Sequence, residues 1–186
     1  MTLGLSTAAR NAMLDAIETA IGTSAIMKIY GGAAMPANCA TARAGTVLAT
    51  LNLPSDYMSA ASGGQKALLG SWADASADAT GLARYFTIFA SDGTTVHMQG
   101  LCSMAWAAST AVQLNQHVHN GGNVYVCTTA GTTASSGGPT GTGSGITDGT
   151  AVWAYVGGQD MSVDNVSLAI TQAFSVTGFT LTGPNP

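Results

Sequence analysis

Beyond Gly22 no segment of this chain keeps convincing helical spacing. The sequence breaks instead into short runs rich in Val, Ile, Thr and aromatic residues, each bounded by Gly, Pro, Asn or Asp. Such side chains fit a pleated, half-buried surface and the bounding residues supply turns, so the pattern specifies strands. Strands are expected over residues 25–30, 46–51, 65–69, 82–89 and 95–101, and again over 167–170 and 173–181. The run Arg84-Tyr85-Phe86-Thr87-Ile88-Phe89, followed by Ser91-Asp92-Gly93-Thr94 and then Thr95-Val96-His97-Met98, reads as two antiparallel strands joined by a tight Asp-Gly turn. Near the C-terminus Phe174 and Val176 share one phase and Phe179 and Leu181 the other, with Gly178 where the phase slips, as a bulge requires.

One helix is expected, over residues 5–22. Ser6 is placed to cap it, Met13, Ile17, Ala20 and Ile21 recur at helical spacing, and Gly22 is placed to stop it. Arg10, Asp15 and Glu18 fall mostly away from that stripe. The fold class that follows is mainly β: an antiparallel β-sandwich with one N-terminal α-helix and a small inserted β module.

The insertion is visible as a change of texture. Residues 105–156 hold a single formal charge, Asp148, together with two of the three tryptophans, Trp106 and Trp153. The stretch is expected to be a separate module. Within the module, residues 128–150 are nearly all Gly, Thr, Ser and Ala. Such a tract buries too little apolar surface to form a core and is expected to be a long exposed loop, flanked by strands at 123–128 and 151–156.

Composition excludes several classes of function. Only 8% of residues are charged, against roughly 25% in an average soluble domain, and Gly, Ala, Ser and Thr fill the gap. No stretch approaches the roughly 20 apolar residues of a membrane span, and Arg10, Asp15 and Glu18 interrupt the only candidate secretory leader, so folding in a cytosol is expected. Cys39, Cys102 and Cys127 are odd in number and widely spaced, which fits small apolar side chains better than disulfides or a zinc knuckle. A net charge of −4 with no cluster of Lys or Arg leaves nothing to neutralise a nucleic-acid backbone.

The usual carriers of catalysis do not occur as motifs: there is no Gly-x-Ser-x-Gly, His-Glu-x-x-His or paired-carboxylate segment. The glycine tract 137–145 resembles a phosphate loop in composition only, having no lysine. A non-enzymatic protein without a cofactor is expected. His117 and His119 alternate along one strand and, around a threefold axis, could offer imidazoles to a metal; they could equally be polar residues preceding the Asn120-Gly121-Gly122 turn. Trp106, Tyr125 and Trp153, with Tyr155, could form a platform for stacking on a glycan or supply the core of a small module. Asp74, Asp78 and Asp92 lack calcium-loop spacing and read as loop carboxylates.

Two segments, "LSTAARNAMLDAIETAIGTSAIMKIYGG" and "ADASADATGLARYFTIFASDGTTV", resemble a group of small tailed-bacteriophage virion proteins, and the ending "DMSVDNVSLAITQAFSVTGFTLTGPNP" resembles the last segment of the same group. The stretch from Trp106 to Gly157 is similar to a small module of phage appendage proteins and, loosely, to certain carbohydrate-binding modules. The resemblance implies a discontinuous sandwich domain, residues 1–103 plus 159–186, interrupted by a module over 104–158, in a virion protein assembled in a host bacterial cytoplasm. Its most direct reading is a capsid decoration or cement protein bound to the major capsid protein and to copies of itself. A tail, baseplate or fibre component, or an adhesion module contacting surface polysaccharide through Trp106, Tyr125 and Trp153, is the alternative. With a mean hydropathy of +0.27, a homo-oligomer would explain solubility.

Overall fold

The computed structural model describes residues 4–184. In chain order it runs α1 (Thr7–Ile21), β1 (Ile26–Gly31), β2 (Thr46–Asn52), β3 (Gln65–Ala67), β4 (Ala73–Asp74), β5 (Gly81–Phe89) and β6 (Val96–Ala105). There follow β7 (Ala111–Val112), β8 (His117–Asn120), β9 (Asn123–Thr129), β10 (Gly131–Thr132), β11 (Ile146–Asp148) and β12 (Ala151–Gly158). The chain closes with β13 (Met161–Val163), β14 (Ser167–Leu168) and β15 (Phe174–Thr182). The protein is mainly β, a sandwich with one helix, and its strand pairs are antiparallel except where β6 meets β8 and β13.

The Asp-Gly hairpin forms as the residue types require. β5 pairs with β6 from Tyr85 opposite Leu101 to Phe89 opposite Val96. In the turn the Asp92 carboxylate accepts from the backbone N–H groups of Thr94 and Thr95, both at 2.8 Å, while Gly93 takes φ +66°. β1 lies between β2 and β5. The phase slip near Gly178 is a bulge: Ser162 sits opposite Gly178 and Val163 opposite Val176, so Thr177 is extra and Phe174, Val176 and Phe179 all reach the core.

The main core lies between these layers. Trp72, Tyr57, Phe86 and Phe179 occupy its centre; the Trp72 and Phe179 rings are 5.1 Å apart and Phe86 meets Phe179 edge-on at 6.1 Å. The other face of the β1–β5 pair is also covered. Tyr30 stacks on Tyr85 at 4.9 Å, and the Tyr85 hydroxyl donates to Ala44 O in the connection between β1 and β2. Asp74 and Asp78 are structural: each carboxylate accepts from Thr50, one from its backbone N–H at 2.9 Å, the other from its hydroxyl at 2.7 Å.

α1 is capped as expected, with Ser6 Oγ accepting from Ala9 N at 3.2 Å and Gly22 N donating to Glu18 O at 2.9 Å. Its orientation corrects the sequence reading. Of the stripe Met13, Ile17, Ala20 and Ile21, only Ile21 is buried; Leu14 joins it, while Met13 and Ile17 are 44% and 36% exposed. Polar side chains flank Leu14 and Ile21 on the side toward the protein. Asn11 Oδ1 accepts from Gly64 N, Glu18 Oε1 from Met58 N, and Lys66 Nζ bridges Asp15 and Glu18 at 2.7 Å each. Lys66 is almost fully covered; burial opposes its charge, but the two carboxylates outweigh that and hold its pKa up.

Candidate functional site

Two regions carry the features that sequence reasoning singled out: the inserted module and the outer face of α1. The module is built on the end of β6. Residues Met104 and Ala105 pair in parallel with Val118 and His119 of β8, and β8, β9, β12 and β11 then follow as an antiparallel series. Gly121 and Gly122, at φ +58° and +79°, make the turn between β8 and β9. A separate two-stranded ribbon joins β7 and β10.

Tyr125 and Trp153 are 1% and 0% exposed and lie in the module's own core with Val112, Val118, Cys127 and Ala151. Neither presents a ring face to solvent, so of the two readings the module core holds for Tyr125 and Trp153; stacking on a sugar needs an exposed face. Trp106 packs partly buried against the same cluster. So few large side chains occur here that the rings are consumed as core.

What holds them is Asp148. Its Oδ2 accepts from the indole N–H of Trp106 at 2.7 Å and of Trp153 at 3.1 Å, and its Oδ1 accepts from Ala134 N at 2.9 Å. The carboxylate is 4% exposed. In the sequence Asp148 stands out only as the single formal charge of residues 105–156. The signal was its position five residues before Trp153, in a segment offering the indoles no other anion. The following Gly149 is obligatory in this packing, since a Cβ there would lie 2.2 Å from Thr132 O at φ +66°.

The tract 128–150 is mostly exposed, as expected, but it is not a bare loop. It contributes β10 and β11, and Thr133, Pro139 and Asp148 within it are buried. Asn120 Nδ2 donates to the carbonyls of Gly137 and Pro139 at 3.0 and 3.1 Å, and Tyr125 Oη donates to Gly141 O at 3.0 Å. Backbone hydrogen bonding thus orders a segment whose side chains could not.

His117 and His119 are both engaged within the chain. His117, expected to be half-exposed, is 4% exposed, and its Nδ1 donates to Arg84 O at 3.2 Å. Burial, and then the neighbouring Arg84 cation, push its pKa down to about 4. His119 Nδ1 lies 3.1 Å from Ser103 Oγ, whose single proton goes to Met161 O at 3.0 Å, making the imidazole the donor. Among the described residues no three His, Cys, Asp or Glu side chains are grouped to hold a metal ion. Cys102 and Cys127 are buried as expected of apolar side chains, and Cys39 is half-buried.

The second region is the outward face of α1. Ala9, Ala12, Met13, Ala16, Ile17 and Ala20 line it, with Arg10 at its border reaching to Gly63 O and with Asp15 and Glu18 off it. At 1.5 Å rise per residue this face is roughly 20 Å long. No protein-family model matches the chain, and neither a curated protein nor a solved structure matches it.

Proposed function

We propose that this chain is a structural, non-enzymatic component of a tailed-bacteriophage virion: a capsid decoration protein that binds the shell in many copies and seats the outer face of α1 on the shell protein. The observation that carries this reading is the outward placement of Met13 and Ile17 on α1 while its charged groups are engaged within the chain. The helix spends its ionic groups on Lys66 and on the backbone of residues 58–66, and turns Met13 and Ile17 outward. A surface helix that only stabilised its own domain would do the reverse. The phage-like segments at residues 5–32 and 73–96 support the same reading, since the first of them contains this helix.

Completing the burial of Met13 and Ile17 stabilises a contact by about 1 kcal/mol each at ~25 cal/mol per Å². Such a contact is weak singly and effective when repeated across many linked copies. The low charge of the chain suits this, because few ions need desolvating at each contact.

The test is a count of this chain per purified particle against the major shell protein, by quantitative mass spectrometry. Hundreds of copies are expected. A handful would move the chain to the tail or baseplate, and none would overturn the reading. The double variant Met13→Asp, Ile17→Asp is expected to melt within a few degrees of the parent, because both positions are exposed, while its copy number falls at least about tenfold. Unchanged incorporation would remove α1 from the contact.

A further inference from the structure

A cleft of about 360 Å³ opens where the sandwich meets the inserted module, lined among others by Thr46, Leu82, Arg84, Gln113, Leu114 and Asn115. Its size falls within the ~300–1,000 Å³ of small-ligand sites. Gly31 and Gly81 also line it, and both crowd Leu48: a Cβ at either would come within 2.7 or 2.8 Å of that side chain.

Arg84 is its unusual member. Among the described residues its guanidinium makes no ion pair or hydrogen bond, and its Nε is buried without a partner. Burial disfavours its charge and pulls its pKa down. A half-buried guanidinium whose Nε has no partner is a natural seat for an anion, whereas the buried cation Lys66 already has two carboxylates. No acidic residue lines the cleft. What surrounds Arg84 is mixed in a particular way. The Thr46 hydroxyl and the Asn115 amide carry no side-chain hydrogen bond among the described residues. Leu114, which also lines the cleft, is 55% exposed.

We infer that this cleft binds a carboxylated sugar, a uronic-acid ring whose carboxylate seats on the Arg84 fork. The planar guanidinium matches a carboxylate through two parallel N–H donors. Thr46 and Asn115 supply partners for ring hydroxyls, and Leu82 and Leu114 offer apolar surface to the C–H face of the ring. This site is distinct from the Trp106, Tyr125 and Trp153 group, and it stands independently of the particle reading.

The experiment is titration of the full-length chain, by calorimetry and by NMR shift mapping, with galacturonate and glucuronate, and with galactose, glucose and inorganic phosphate as comparisons. Saturable binding of a uronate in the millimolar range or tighter is expected, with the neutral sugars at least tenfold weaker and shifts centred on Arg84, Leu114 and Asn115. Arg84→Met is expected to abolish binding and to melt at the same or a higher temperature, because it removes a half-buried charge that has no partner among the described residues; a purely structural arginine would lower the melting temperature. Should Arg84→Met misfold, Asn115→Ala, expected to weaken the uronate severalfold, takes its place. The inference is overturned if neither uronate saturates at 20 mM, if galactose binds as well as galacturonate, if phosphate alone binds, or if the substitution leaves uronate binding unchanged.

Discussion

Replacing Asp148 by alanine is expected to destabilise the inserted module by about 3–5 kcal/mol. The substitution removes the acceptor for two indole N–H groups and one backbone N–H at once. Hydrogen bonds to a charged group contribute roughly 1.5–3 kcal/mol, and each buried donor left unsatisfied costs about 1–3 kcal/mol. Trp153, at 0% exposure, has no water to turn to. Asp148→Asn should recover only part of the loss, since one amide oxygen cannot serve both sides of the carboxylate. The measurement is urea unfolding followed by tryptophan fluorescence, with hydrogen exchange to localise the effect. Faster exchange in β8, β9 and β12, with β1, β2 and β5 unchanged, would show that the module opens by itself. A loss below about 1 kcal/mol would mean that the indoles find other acceptors.

The second large effect is on acid stability. His117 titrates near 6.5 when unfolded and is pushed down to about 4 in the fold by burial and by Arg84. The unfolded chain therefore binds more protons between these values, and stability rises with pH across that window. His117's contribution is fully present above pH 6.5 and is lost as pH falls toward 4, amounting to about 3 kcal/mol at 1.36 kcal/mol per pH unit. His119, also lowered by burial, acts in the same direction. The ion-paired Asp15 and the turn carboxylate of Asp92, both held below their usual range, lose their stabilising effect only at lower pH. Melting temperatures measured from pH 7 to pH 4 should fall steeply for the parent chain and much less for His117→Gln. Parallel slopes would show that His117 is not the group responsible.

Local chemistry was legible in the sequence and tertiary partnership was not. Ser6, Gly22, the Asp92-Gly93 turn and the slip at Gly178 each act within a few residues of themselves, so their types alone specified the outcome. The face α1 buries depended on Lys66, 51 residues from Asp15, arriving under the helix to receive its acids. Periodicity reports that a helix has two faces and leaves open which one is inside. Asp148 and Arg84 show the same limit from opposite directions: one carboxylate collects donors from distant positions, while one guanidinium finds no partner among the described residues, and only the assembled fold distinguishes them. In the tract 128–150 the ordering groups are backbone carbonyls, which carry no residue-type signature.

β6 has a mechanical consequence as well. Its first part is bonded to β5, its residues 102 and 103 to β13, and its last two to β8. The chain thus enters the module along a strand that is also part of the sandwich, and returns through β13 beside that same strand. A tensile load applied to the module would draw β6 lengthwise against β5 and β13, straining their cross-strand bonds together instead of peeling them one by one. The joint would resist tearing well while giving way more readily to a sideways twist.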